Sequence, residues 1–463
     1  MVTADQTVQR PTRTWPAAWW TGVWAVLAIA ALTWRGPMYV HLVQPQPGQI
    51  VEAPDVLPVV DFFQEWASAR NFLDGRPVYT PQADSYKYYL PPVYVWPSLP
   101  LPPVPPDRMF IEVNAHPPTS VLLVLPLALL SYPNATLVWN LLSLGALALS
   151  GLIIIRKLNI RLAAWWLLPL TVLLLLNAPL QEQVRQGQLN LLLLLLLTGT
   201  WAADRSGWPV LAGVLLGTAS AIKLFPAFLF LYFLLRKRWR VVVAGMAWGL
   251  LLTLGTAAVF GPQTYVSYVR DVIPQVNEWR SGWNNASLPG LFAKLFDPGS
   301  KHYEVTPLVH SVWLARLGTG ISAMVIVALL TWNVPRARSL RDRDQSFAAF
   351  VTAMLLLAPM TWEHAFTIAV LPVAILWARS VAFSYKRRAL LVLIVLLSIH
   401  PVTMYGLLIL EKNQQLMDMQ ARPVQTLVVL SIQSYALLAM FGLGMAGLGR
   451  RGESADDQSA AAS

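Results

Sequence analysis

Apolar runs long enough to enter a bilayer recur from Trp15 to Leu448, separated by short polar or basic stretches. We read them at roughly 15–34, 133–155, 162–178, 188–203, 208–222, 224–235, 241–260, 306–333, 345–361, 364–379, 389–410 and 424–448. A helix needs about 20 apolar residues to cross ~30 Å of hydrocarbon, so the shorter runs predict broken or partial spans. A further piece, 119–131, reads as a half-helix. The pattern predicts an all-α polytopic membrane protein with about twelve transmembrane helices (roughly ten to thirteen). One stretch stands apart. Over residues 62–74, Phe62, Trp66, Ala69 and Leu73 share one helical face and Gly75 closes it, which predicts a short helix lying at the interface.

This parses the chain into a polar leader (1–14), a single transmembrane domain (15–449) and a disordered tail (450–463). Within the domain two long loops, 35–118 and 261–305, are rich in polar residues or proline. The first span reads as a signal anchor, because it lacks a small-residue cleavage site. Proline runs such as Pro102-Pro103-Val104-Pro105-Pro106 favour extended conformations in the first loop.

Composition agrees with a membrane protein. Of 463 residues, 56% are hydrophobic and 12% are charged, against about 25% charged in soluble domains. Cysteine is absent, which excludes disulfides and thiol chemistry. The net charge of +11 is explained by where the charges lie. The clusters Arg156/Lys157/Arg161, Arg236/Lys237/Arg238/Arg240, Arg336/Arg338/Arg341/Arg343 and Arg379/Lys386/Arg387/Arg388 share one side with Arg10, Arg13, Arg205, Arg450 and Arg451. That side holds 20 of the 34 basic residues and 7 of the 23 acidic ones. The positive-inside rule makes it cytoplasmic, with both termini. The basic excess therefore orients the chain and meets anionic membrane lipids, and no nucleic acid is expected as a partner. The assignment requires a break within 208–235, at Lys223-Leu-Phe-Pro226. Proline supplies it by removing a donor and clashing with the preceding turn.

The polar residues left over then gather on the extracytoplasmic side. Asp61 heads the amphipathic stretch, with Gln64 three residues on, so one reading is a helix cap completed by a capping box. His116 precedes Pro117-Pro118 at the return to the membrane, and Gln181, Glu182, Gln183, Arg185, Gln188 and Asn190 cluster before a run of leucines. Lys223 lies in the break, Asn284-Asn285 in the second loop, and Glu363-His364 between two spans. Ionisable groups near hydrocarbon are costly and point to function. Bland readings stand beside each: a snorkelling Lys223, interhelical hydrogen bonds from Gln188 and Asn190, a buried neutral His116, and helix-capping by Glu363 and His364.

In order and spacing these elements resemble the polytopic GT-C class of glycosyltransferases, most closely family 87, the polyprenyl-phosphate-mannose-dependent group. The resemblance rests on Asp61-Phe62-Phe63 with Gly75-Arg-Pro-Val-Tyr79, and on Gly187-Gln188-Leu-Asn190 with Ala212-Gly213 and Lys223-Leu-Phe-Pro226. It continues through Asn285-Ala-Ser287-Leu-Pro-Gly290 and Trp362-Glu-His364. The chain departs from the family where His116-Pro-Pro replaces Tyr-Pro-Pro, after an insertion over about 82–112. The resemblance implies an inverting transferase in the cell membrane. It would move a sugar, by family expectation mannose, from a polyprenyl-phosphate donor to a glycolipid or glycan acceptor on the extracytoplasmic face. Asp61 is then the catalytic base. Lys223, Arg185, Gln188, Asn190, His116, His364 and Asn285 are the donor phosphate and sugar ligands. No cofactor and no metal are expected. A lipid-linked-sugar transporter or flippase and a non-catalytic partner in envelope glycan assembly are the competing readings.

Overall fold

The computed structural model describes residues 18–43, 60–89, 113–161, 163–299, 305–381, 384–400, 403, 421–446 and 448. The predicted leader, the tail and residues 90–112 of the insertion lie outside them. Helices dominate, and the described residues form no strand beyond an isolated bridge between Val305 and Ala421. Five helices are long and apolar enough to cross a membrane: Trp19–Val40, Tyr132–Leu158, Trp239–Phe260, Val312–Arg336 and Pro423–Met445. A sixth is gained if a pair bent by 56°, Ala164–Leu176 and Ala178–Gln186, counts as one span. Two segments of the twelve-span expectation form shorter helices, Pro209–Ile222 and Phe225–Leu235, and the separate half-helix expected over 119–131 is the short helix Pro118–Leu129. Non-helical backbone at membrane depth survives where protein surrounds it, and these interruptions lie beside the polar site described below.

The centre of the bundle is the leucine-rich helix Asn190–Arg205. Leu191, Leu193, Leu194 and Leu197 point in several directions around it, and all are fully buried. A helix that is apolar all round needs neighbours all round. Here they are chiefly the helices Tyr132–Leu158 and Pro209–Ile222 and the turn Glu363–Ala369, and the almost wholly buried helix Leu340–Leu357 belongs to the same core. At one end of this core Asp344 accepts from Trp201 Nε1 at 2.9 Å and pairs with both Arg205 and Arg379. Two of the basic residues that mark this side in the sequence are thus spent on holding helix ends together.

The helices Pro209–Ile222 and Trp239–Phe260 meet backbone to backbone. A Cβ on Gly213 would lie 2.5 Å from the Val241 carbonyl oxygen, and one on Gly217 would lie 2.4 Å from that of Gly245. The spacing Gly213-x-x-x-Gly217 is what close helix approach in a membrane requires, and Trp248 Nε1 adds a hydrogen bond to Thr218 Oγ1 at 2.9 Å. Gly217→Leu is expected to destabilise the protein by about 1–3 kcal/mol or more, because backbone cannot move aside as a side chain can. Gly255→Leu, on the outer face of the same helix pair with nothing within 4 Å, is expected to leave the melting profile in detergent unchanged.

One sequence expectation is corrected. The amphipathic helix, Val60–Leu73, does not lie at the interface with an open apolar face. Phe62, Phe63 and Ala69 are fully buried, and the helix packs against Pro118–Val124 and Tyr132–Leu158 through an aromatic cluster with Tyr132 and Trp139. Phe63 and Glu65 fall off the predicted stripe, yet both are buried. The helix is an internal element of the fold, and its first turn carries Asp61 into the bundle.

Candidate active site

Asp61 lies within that first turn rather than capping it. Its oxygens accept from side chains: Oδ1 from Gln64 Nε2 at 3.1 Å, and Oδ2 from Gln188 Nε2. The expected capping box is therefore replaced by an amide contact within the helix. Burial pushes the Asp61 carboxyl above the ordinary aspartate range. The Gln188 hydrogen bond and the charges of His116, Lys223 and Arg185 offset that rise only in part.

Gln188 reaches Asp61 because of the turn before it. Gly187 ends the helix Ala178–Gln186 with φ of 61°, a left-handed conformation that glycine adopts without Cβ strain. Its carbonyl accepts from Trp139 Nε1 at 2.7 Å, which pins the turn against the helix Tyr132–Leu158. The next helix then begins at Asn190.

Lys223 comes from the predicted break. It ends the helix Pro209–Ile222 in extended conformation, φ −152° and ψ 132°, and Pro226 opens the short turn that follows. Its Nζ donates to Gln188 Oε1 at 3.2 Å and Asn190 Oδ1 at 3.4 Å. Asn190 in turn donates to Gln183 Oε1 at 3.2 Å, and Gln183 donates to the Gln188 carbonyl. The amide of Gln188 thus stands between carboxylate and ammonium, donating to one and accepting from the other. Among the described residues Lys223 forms no direct ion pair, so its charge is oriented without being cancelled by contact.

A second carboxylate sits one turn after Asp61. Glu65 is buried and meets His116 Nδ1 at 2.5 Å and Ser120 Oγ at 2.8 Å. His116 is fixed from behind by Tyr79, whose hydroxyl donates to its carbonyl at 2.7 Å. Sequence reasoning passed over Glu65 as a partner. The available signal was its four-residue spacing from Asp61, which puts the two on one face.

Arg185 is less free than expected. Its guanidinium forks onto Glu182 with contacts of 2.6–3.1 Å, and His400 Nε2 reaches the same carboxylate at 3.0 Å. Glu363 lies beside them and accepts from Asn284 Nδ2 at 2.9 Å. The ligand atoms of Glu182, Glu363 and His400 fall within 4.8 Å of one another, a spacing that would admit a cation, although the Arg185 fork already occupies Glu182. His364 is buried, sits edge-on to Trp362 and is within electrostatic reach of Lys223, Glu182, His116 and Arg185.

Asn285 is the exception. Its Nδ2 donates to the Arg280 and Pro359 carbonyls at 2.6 and 3.0 Å, and its Oδ1 accepts from the Ser287 and Thr361 backbone at 3.0 and 2.9 Å. These bonds use its donors and acceptor lone pairs to tie two loops together. Asn285 therefore stands apart from the Asp61–Lys223 cluster, with its side chain engaged by backbone groups.

An apolar helical bundle that holds a half-buried aspartate and a half-buried lysine on opposite sides of one amide has the parts of a membrane-embedded enzyme of group transfer. The chain belongs to glycosyltransferase family 87, whose family model matches residues 114–359. That range takes in His116, Arg185, Gln188, Asn190, Lys223 and Asn285; Asp61 precedes it and His364 follows it. The chain is 25% identical over 345 residues to a polyprenol-phosphate-mannose-dependent alpha-(1-2)-phosphatidylinositol mannoside mannosyltransferase of Mycolicibacterium smegmatis, covering 69% of each protein. A protein of the same description from Mycobacterium tuberculosis is 25% identical over 342 residues, 66% of each. A phosphatidylinositol pentamannoside mannosyltransferase of Mycolicibacterium smegmatis is 28% identical over 257 residues, 54% of this chain and 57% of that one. The chain therefore spans about two thirds of the length of the first two relatives.

Proposed function

We propose that this glycosyltransferase moves mannose from a polyprenol-phosphate donor to a phosphatidylinositol-mannoside type of glycolipid, with inversion, on the extracytoplasmic face. The observation that carries the reading is the Asp61–Gln188–Lys223 relay. Transfer needs a base for the acceptor hydroxyl and a positive group for the departing phosphate, and the two must not neutralise each other. Asp61 takes the proton as the acceptor oxygen attacks C1 of the sugar. The C1–O bond to phosphate breaks on the opposite face, and the electron pair leaves with the polyprenyl phosphate beside Lys223. Arg185, held by Glu182, adds positive charge near the leaving group, and the imidazole of His364 adds a neutral N–H donor. Glu65 holds His116 oriented at the edge of the same centre. The donor's name and the acceptor class come from the mycobacterial relatives. The sidedness comes from the positive-inside rule.

Membranes from cells overproducing the protein are expected to move radiolabel from polyprenyl-phosphate mannose into phosphatidylinositol mannoside. Control membranes lacking the protein show none. Label that crosses the bilayer while staying on its polyprenyl carrier would instead identify a transporter.

A further inference from the structure

A second concavity lies beside this centre and takes no part in the chemistry above. It encloses a cavity of about 230 Å³ between the end of the helix Val60–Leu73 and the helical segment 262–278. Phe72, Tyr79 and Phe260 supply aromatic walls, and Gln263, Ser267 and Gln275 supply polar ones. Phe72 and Phe260 meet edge to face at 4.7 Å, and Tyr79 stacks on Tyr268 at 6.0 Å, so the apolar walls are rigid. The Oε1 atom of Gln275 is buried without a hydrogen-bond partner. A buried acceptor left unpaired is costly, and a turn of the Gln275 amide toward the cavity it lines would let a ligand hydroxyl satisfy it.

The lining discriminates among ligand classes. Neutral amides and hydroxyls alternating with ring faces suit a sugar, which offers hydroxyls at its edges and C–H groups on its faces. A polyprenyl tail would leave the amides unpaired. A phosphate would find one guanidinium, Arg76, already engaged by Asp74 at 3.2 Å, by the Tyr89 hydroxyl at 2.8 Å and by stacking on Tyr88. It would also meet the carboxylate of Asp271 on the same wall. At about 230 Å³ the space falls below the ~300–1,000 Å³ typical of drug-sized ligands, which fits a single ring better than a whole headgroup.

Phe72 is eleven residues beyond Asp61 on one helix, roughly 16 Å at 1.5 Å per residue. Tyr79 forms part of the cavity wall while its hydroxyl holds the His116 carbonyl. The cavity is therefore linked to the reactive centre but too far from it for the same sugar to fill both. Resting on the transfer reading above, we infer that this cavity is a subsite for a non-reacting sugar of an extended acceptor. Binding energy gathered at such a distance positions the reacting hydroxyl, and it selects acceptors that already carry several sugars.

The test uses the purified full chain in nanodiscs with polyprenyl-phosphate mannose as donor. Two acceptors are compared, phosphatidylinositol bearing one mannose and phosphatidylinositol bearing four. Gln275→Leu and Ser267→Trp are expected to raise KM for the tetramannoside about tenfold more than for the monomannoside, through lost hydrogen bonding and a filled cavity respectively. Equal changes for both acceptors, or no change with the bulky Ser267→Trp in a protein of unaltered melting profile, would overturn the subsite. If the wild-type protein transfers nothing to either acceptor, the transfer reading itself fails and takes the subsite with it.

Discussion

Asp61→Asn is expected to lower kcat for sugar transfer by about 10²–10⁴-fold, the usual contribution of a general base. The substitution keeps the size of the side chain and an oxygen able to accept from Gln188 or Gln64, so the fold should persist. Stability should change little, because the variant removes a charge disfavoured by desolvation but leaves one of the two amide donors, Gln64 or Gln188, without its acceptor. Loss of activity with a nearly unchanged melting temperature separates the catalytic role from a structural one. The pH profile gives an independent check. Since burial raises the Asp61 carboxyl, kcat/KM should fall as pH drops through a value above the ordinary ~3.9 of aspartate. That acid limb should disappear in the residual activity of the variant. An enzyme that keeps full activity after Asp61→Asn does not use this base.

Lys223→Gln carries the second largest expected effect, about 10²–10³-fold in kcat/KM, in line with removal of one preorganised charge-stabilising donor. Glutamine retains N–H groups directed toward Gln188 Oε1 and Asn190 Oδ1, the two acceptors of Lys223 Nζ, on a side chain one bond shorter. The variant therefore removes charge more than structure. A lysine that merely snorkelled or anchored the broken helix would give a different result: lower melting temperature or poor membrane insertion, with kcat retained in the folded fraction. Lys223→Arg is not a conservative rescue, because the planar fork of a guanidinium differs from a point charge on a flexible stem.

Much of this was legible in the sequence because bilayer solvation imposes strong patterns. The long helices Tyr132–Leu158, Trp239–Phe260 and Val312–Asn333 follow their apolar runs closely, and the break at Lys223-Leu-Phe-Pro226 stands where proline and charge sidedness placed it. The gathering of Asp61, Gln188, Asn190 and Lys223 was expected as a cluster, and the structure brings all four into one hydrogen-bonded relay. What periodicity lacks is information about what an apolar face meets. The stripe Phe62, Trp66, Ala69 and Leu73 is equally suited to lipid and to protein, so the inward packing of Val60–Leu73 was missed. Pairs between distant segments were also hidden. Glu65 meets His116 across 51 residues, and Glu182 meets His400 across 218, with no local pattern linking either. Asn285 has backbone carbonyls as the partners of its amide nitrogen, a set of contacts between distant loops that no local pattern announces.

The most direct test of the account is the structure of Asp61→Asn with intact polyprenyl-phosphate mannose bound. The donor phosphate is expected within hydrogen-bond distance of Lys223 Nζ, and the sugar between that phosphate and the side chain at position 61, with C1 open to attack from that side. A donor phosphate bound away from Lys223, with its sugar out of reach of position 61, would contradict it.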